Sequence, residues 1–148
     1  MVRFWDTAAV FPLFVPERSS GVALELVTGD PAILVWWATR VECISALARL
    51  QREGVVALEI DAARLTLEAF ASSWQEVLPT DSIRRRAETL LWRHTLRAAD
   101  ALQLAAALAA QEQFPTALDF VTLDRRLATA ARAEGFRVLP DETPERRS

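Results

Sequence analysis

Four carboxylates carry the strongest chemical signal in the chain: Asp6, Glu42, Asp100 and Asp124. Each stands beside an apolar segment, where an ionised carboxylate is costly to desolvate unless it is paired or binds a metal. FWDTAAVFPLF (4–14) shows this most clearly, with one acid in an almost wholly apolar stretch. Carboxylates that converge repel one another unless a cation lies among them, and hard oxygen donors suit Mg²⁺ or Mn²⁺. A structural reading competes. Thr39-Arg40-Val41-Glu42 has the T-x-x-E form of a capping box, Asp100 followed by Gln103 looks similar, and Asp124 is placed to N-cap the helix RRLATAA. Caps and ligands predict the same location, so position alone does not separate them.

The elements that must position these acids alternate along the chain. VRFW (2–5) reads as a first strand ending at Asp6, and TAAVFPLF turns helical after it. Residues 18–30 read as a helix closed by Gly29-Asp30-Pro31. AILVWWA (32–38) is a continuous apolar run suited to a strand buried on both faces. A helix follows from Thr39 to about Arg52, with Val41, Ile44, Leu47 and Ala48 on its apolar face and Gly54 ending it. Two more helices are expected over 61–76 and 81–94, and an alanine- and leucine-rich one over 99–112. LDFVTL (118–123) is a strand, 124–134 a helix ended by Gly135, and FRVLP (136–140) a last strand. Strands alternating with helices predict an α/β fold with a mainly parallel sheet. Ligands of such sheets bind beyond the carboxyl ends of the strands, where Asp6, Glu42 and Asp124 are expected and Asp100 can point.

Composition narrows the chemistry further. Every basic side chain other than the one histidine is arginine, and the absence of lysine excludes P-loop phosphate binding, Schiff bases and pyridoxal attachment. The formal charge of −3 is no nucleic-acid signature, yet arginines can still grip phosphate in bidentate fashion. A single cysteine, Cys43, excludes an internal disulfide framework and reads as a small buried residue in a reducing cytoplasm. No apolar run is long enough to span a bilayer, and no secretory h-region is evident, so no membrane association is expected.

The stretches RFWDTAAVFPLF, WATRVECISAL, LRAADALQLAAAL and DFVTLDRRLATAARAEGFRVL, in this order, resemble the PIN domain, and more narrowly the VapC-type toxins of bacterial toxin–antitoxin pairs. The resemblance runs from residue 2 to residue 139. It implies a three-layer α/β/α PIN-like fold, and the chain length suits one domain over 1–140 followed by a polar tail over 141–148. It also implies a Mg²⁺- or Mn²⁺-dependent endoribonuclease whose partners are an RNA substrate and a cognate VapB-like antitoxin. The four acids carry over as the metal site: Asp6 and Asp100 as direct ligands, Asp124 toward a second ion, and Glu42 directly or through water. Thr7 and Thr122 fall at small hydroxyl positions beside it. Gln103 departs from the pattern, since many relatives have histidine there. Water would be the nucleophile, because no serine or cysteine has a base beside it.

Other residues are weighed against this set. Asp119 begins the strand that Asp124 follows, about 16 Å away at roughly 3.3 Å per residue, and belongs to the opposite edge. Asp81 in PTDS reads as a helix cap, and His94, the only histidine, as a helix-end or surface residue. Arg84, Arg85 and Arg86 read as a solvated face, whereas Arg97, Arg125 and Arg126 lie nearer the acidic edge and suit phosphate contact. Trp36 and Trp37 read as core, and Trp74 and Trp92 as part of a helical pair whose apolar face suits a dimer or partner. A homodimer is the default expectation. Two alternatives stay open: a catalytically inactive module whose acids are only caps, and a Mg²⁺-dependent phosphoryl-transfer domain, which usually needs a lysine.

Overall fold

A computed structural model describes residues 2–141; the tail over 142–148 lies outside the described residues. The chain begins at the centre of its sheet. β1 (Arg3–Trp5) is followed by the short helix α1 (Thr7–Val10), a 3-10 turn (Phe11–Leu13) and α2 (Ser20–Gly29). β2 (Ile33–Trp36), α3 (Thr39–Arg52), α4 (Ala57–Ala71) and β3 (Gln75–Val77) come next. Then follow α5 (Asp81–Arg93), α6 (Ala98–Gln111), β4 (Asp119–Val121), α7 (Arg125–Ala133) and β5 (Arg137–Leu139). The five strands are all parallel, in the order β3-β2-β1-β4-β5.

Strand pleating sorts the apolar residues into two layers, because successive side chains point to opposite faces. Phe4, Leu34, Trp36, Phe120 and Val138 face α5, α6 and α7, where Phe120 packs against Phe4 and Phe136 with ring centroids 5.3 and 5.6 Å away. Trp5, Ile33, Val35, Val121 and Leu139 face the other way, onto α1, α2, α3 and α4. With helices on both faces, the three-layer α/β/α arrangement expected from the sequence is the observed one, and β2 is buried along its whole length. Gly54 and Gly135, with φ of 99° and 101°, follow α3 and α7 in the left-handed conformation that only glycine adopts without strain.

Several local expectations are corrected. Helix 61–76 is α4 over Ala57–Ala71, and β3, not foreseen, takes Gln75–Val77. Its residues are mostly exposed, so they carry no apolar alternation, and Gln75 and Glu76 make the polar edge that discourages pairing with other chains. On α3 the buried face is Thr39, Cys43 and Leu47, while Val41 and Ile44 are exposed. Trp37 lies one residue past the end of β2 and is 50% exposed rather than core. Trp74 and Trp92 do not form one face: Trp74 is buried after α4, and Trp92 on α5 is exposed. Asp81 is not the cap of α5; Thr80 is, its hydroxyl accepting from the Ile83 N–H at 3.2 Å.

Candidate functional site

β1 and β4 are neighbours in register, Trp5 opposite Val121, but their connections leave in opposite directions, β1 toward β2 and β4 toward β5. This is the topological switch point, where a crevice opens beyond the strand ends. Asp6 leaves β1 there. Its backbone N–H donates to the Val121 carbonyl at 3.1 Å, and its side chain is 2% exposed. Oδ1 accepts from the Ala9 N–H at 2.8 Å, capping α1, and Oδ2 accepts from the Thr122 hydroxyl at 2.5 Å. Thr122 Oγ1 in turn accepts from the Asp124 N–H at 3.0 Å. Asp124 Oδ1 caps α7, accepting from the Arg126 and Leu127 N–H groups at 2.9 and 3.1 Å. Thr122 therefore ties the acid after β1 to the acid after β4.

Asp100, in the first turn of α6, comes within electrostatic range of the same two acids. Burial pushes the Asp6 carboxyl up from 3.8 to about 7, against the Thr122 and Ala9 hydrogen bonds, and the charges of Asp124 and Asp100 add to the rise. Burial likewise raises Asp100, followed by the charge of Asp124, with Arg97 offsetting part of it. The displacement at Asp6 corresponds to roughly 4 kcal/mol against its ionised form. An N-cap carboxylate contributes about 1 kcal/mol, so capping the four-residue α1 does not account for a charged residue here.

Glu42 sits to one side, in the first turn of α3. The expected capping box is absent: the N-cap is Ala38, which makes no side-chain cap bond, and Thr39 is already helical. Glu42 Oε2 instead accepts from the Thr7 hydroxyl at 2.6 Å and from Gln103 Nε2 at 3.2 Å. The same Nε2 donates to Thr7 Oγ1 and Thr39 Oγ1, each at 3.0 Å. Gln103 and Thr39 are both buried, and Gln103 Oε1 has no hydrogen-bond partner. An orphaned buried acceptor costs about 1–3 kcal/mol. Gln103 and Thr39 thus join Thr7 and Glu42 in one hydrogen-bonded cluster, where the sequence marks Gln103 only as a departure from the family pattern and Thr39 only as part of a capping box. One signal was available: Gln103 is the only polar side chain in the run 101–110.

No three histidine, cysteine, aspartate or glutamate side chains among the described residues form a ready-made metal cage. The donor set still fits a hard divalent cation. It is all oxygen, the charges of neighbouring acids raise Asp6 and Asp100, and among the described residues no arginine or histidine forms an ion pair with any of the four. Arg97, the N-cap of α6, and Arg125 and Arg126, in the first turn of α7, are exposed and form no ion pair among the described residues.

The residues set aside lie elsewhere. Asp119, at the start of β4, faces Arg3 and Arg137 at 3.9 Å each. His94 ends α5 and meets Glu134 at 2.7 Å, ten residues along α7 from Asp124, or about 15 Å at the helical rise. Burial favours the neutral form of Glu134, yet the His94 and Arg93 hydrogen bonds and charges bring its carboxyl below the usual value. Arg84 and Arg86 pair with Asp81 and Glu112 on the surface. Cys43 is buried, and desolvation, with the charges of Glu42 and Asp6, pushes its thiol up to about 12, so it is no nucleophile.

A parallel five-stranded sheet lies between helical layers, with Asp6, Asp100 and Asp124 near its switch point. The PIN domain model matches residues 3–133, and the chain belongs to the PIN domain family. It is 33% identical over 138 residues to the ribonuclease VapC45 of Mycobacterium tuberculosis, covering 93% of this chain and 94% of that protein. Among solved structures, the M. tuberculosis toxin VapC20, described as cleaving the sarcin-ricin loop, superposes with a TM-score of 0.65 at 17% identity, over 92% of this chain and 96% of that one. A toxin–antitoxin complex from Klebsiella pneumoniae gives 0.61 at 19% identity, over 85% and 90%. Among the described residues no helix is long and apolar enough to cross a membrane.

Proposed function

We propose that this PIN-domain protein is a ribonuclease of the VapC type, a toxin that hydrolyses RNA phosphodiester bonds at the Asp6–Asp100–Asp124 edge with a divalent cation, and that a VapB-like antitoxin restrains it. The observation that carries the reading is Asp6, a carboxylate held at the strand switch point at a net electrostatic cost that its cap does not offset. Perturbed acids of this kind cluster at functional sites. The family match and the VapC45 similarity support the nuclease class. The toxin–antitoxin relative from K. pneumoniae supports the antitoxin partner.

Asp6, Asp100 and Asp124 would hold Mg²⁺ or Mn²⁺, with Glu42 bound directly or through water. A bound ion supplies water activation and stabilises the charge that develops on the leaving oxygen. The remaining work falls to the chain. Thr122 fixes Asp6 Oδ2, and the α7 N–H groups hold Asp124 Oδ1, so both carboxylates keep one rotamer. Arg125 and Arg126, with Arg97 beside Asp100, are exposed and placed to take RNA phosphates flanking the scissile bond, which the bare acids would repel. The exposed apolar residues Val41, Leu58, Leu65 and Trp92 suit a second copy or the antitoxin, and a homodimer is the assembly proposed.

The competing reading, an inactive module with acids as caps, accounts for Asp6 on α1 and Asp124 on α7 but leaves Glu42 capping nothing. Asp6→Asn and Asp100→Asn are expected to reduce Mg²⁺-dependent cleavage of single-stranded RNA to background while the far-ultraviolet circular dichroism is unchanged. Full activity in both variants would refute the proposed site.

A further inference from the structure

Gln103 is buried inside an otherwise apolar stretch of α6 and reaches three residues on two other helices: Thr7 on α1 and both Thr39 and Glu42 on α3. Its amide orientation follows from proton inventory. Thr7 spends its one hydroxyl hydrogen on Glu42 Oε2, so toward Gln103 it only accepts. Glu42, when ionised, accepts only, and turning the amide over would set two acceptor oxygens against each other at 3.2 Å. The two Nε2 hydrogens therefore serve three acceptors, and Oε1 is left without a partner. A fold built only for packing would place leucine or alanine here, as the rest of this helix face does.

We infer that Gln103 is a positioning residue for Glu42: with the Thr7 hydroxyl it clamps carboxylate oxygen Oε2 and leaves Oε1 as the oxygen available to a cation. The inference rests on the function proposed above and deepens it, naming how the fourth acid, which lies outside the Asp6–Asp100–Asp124 group, is held ready for that site. It also accounts for the orphaned amide oxygen of Gln103, because the geometry that brings Nε2 onto Glu42 leaves that buried oxygen without a hydrogen-bond donor.

Calorimetric titration of the metal-free full chain with Mn²⁺ tests this without any turnover. Gln103→Leu is expected to raise the Mn²⁺ Kd about 10- to 100-fold, the usual effect of removing a group that orients a metal ligand. Gln103→His, which keeps an N–H donor, is expected to recover most of the affinity. In a Glu42→Gln background Gln103→Leu is expected to cause no further loss, because the clamp has no carboxylate left to hold. An unchanged Kd for Gln103→Leu, or an equal loss with and without Glu42, overturns the inference. Where Gln103→Leu fails to fold, Gln103→Met keeps the unbranched side-chain shape, removes the donor without adding charge and carries the same expectation. Absence of Mn²⁺ binding by the unaltered protein would instead refute the metal-site reading on which the inference depends.

Discussion

Asparagine at position 6 keeps the shape of the aspartate and removes its charge, so Asp6→Asn separates what the site costs the fold from what it does. The native carboxyl holds its proton to about pH 7, whereas in the unfolded chain it is released near 3.8. Between those values the native state binds more protons than the unfolded state, so stability falls as pH rises. The contribution is complete below the unfolded value and has gone once pH passes about 7. The difference between the two limits is roughly 4 kcal/mol. Asparagine offers one acceptor oxygen where Asp6 uses two, for Ala9 and Thr122, and the lost bond costs about 1 kcal/mol. The variant is therefore expected to be more stable than the parent by about 2–3 kcal/mol near pH 8, and by less than about 1 kcal/mol near pH 5. For a chain of this length that is a rise in Tm of about 5–10 °C on the alkaline side. Thermal and urea denaturation in chelator-treated buffer at both pH values measure it, and Mn²⁺ should narrow the gap by stabilising only the parent. A loss of stability near pH 8, or the same gain at both pH values, would refute the burial and charge accounting at Asp6.

The other expectations concern substrate and core. Alanine at Arg97, Arg125 or Arg126 should weaken RNA binding by the inactive Asp6→Asn protein and lower the slope of log affinity against log salt by about 0.7 per lost phosphate contact; an unchanged slope in all three variants would remove them from the interface. Leu104→Ala, fully buried on α6 beneath the sheet, should cost about 2–5 kcal/mol in urea denaturation. Less than about 1 kcal/mol there would mean that the α6 layer closes over cavities more readily than a close-packed core does.

Much of the frame was legible because it rests on local patterns. The continuous apolar run of β2, the alanine- and leucine-rich α6, and the glycines after α3 and α7 each declare an element through a few neighbouring residues. β3 was not legible: a three-residue edge strand with two exposed polar residues has neither alternation nor an apolar run, and it exists only because β2 offers it an edge. Trp37 was misplaced for a related reason, since composition does not say that the strand stops at Trp36.

The sequence by itself determined the alternation of strands and helices, the absence of lysine chemistry, and four acids each near a strand end or a helix start. Only the tertiary structure separated them by role. Asp6 and Thr122, bonded across 116 positions, became one hydrogen-bonded unit because β1 and β4 lie side by side. Thr39 and Glu42 read as a capping pair locally, yet a glutamine 64 and 61 positions away took both as acceptors, because α3 turns that face inward. Caps depend on neighbours in the chain, whereas charge repulsion and burial depend on neighbours in space. For that reason FWDTAAVFPLF alone leaves Asp6 undecided, whereas in the fold the same aspartate is buried within range of the charges of two other acids.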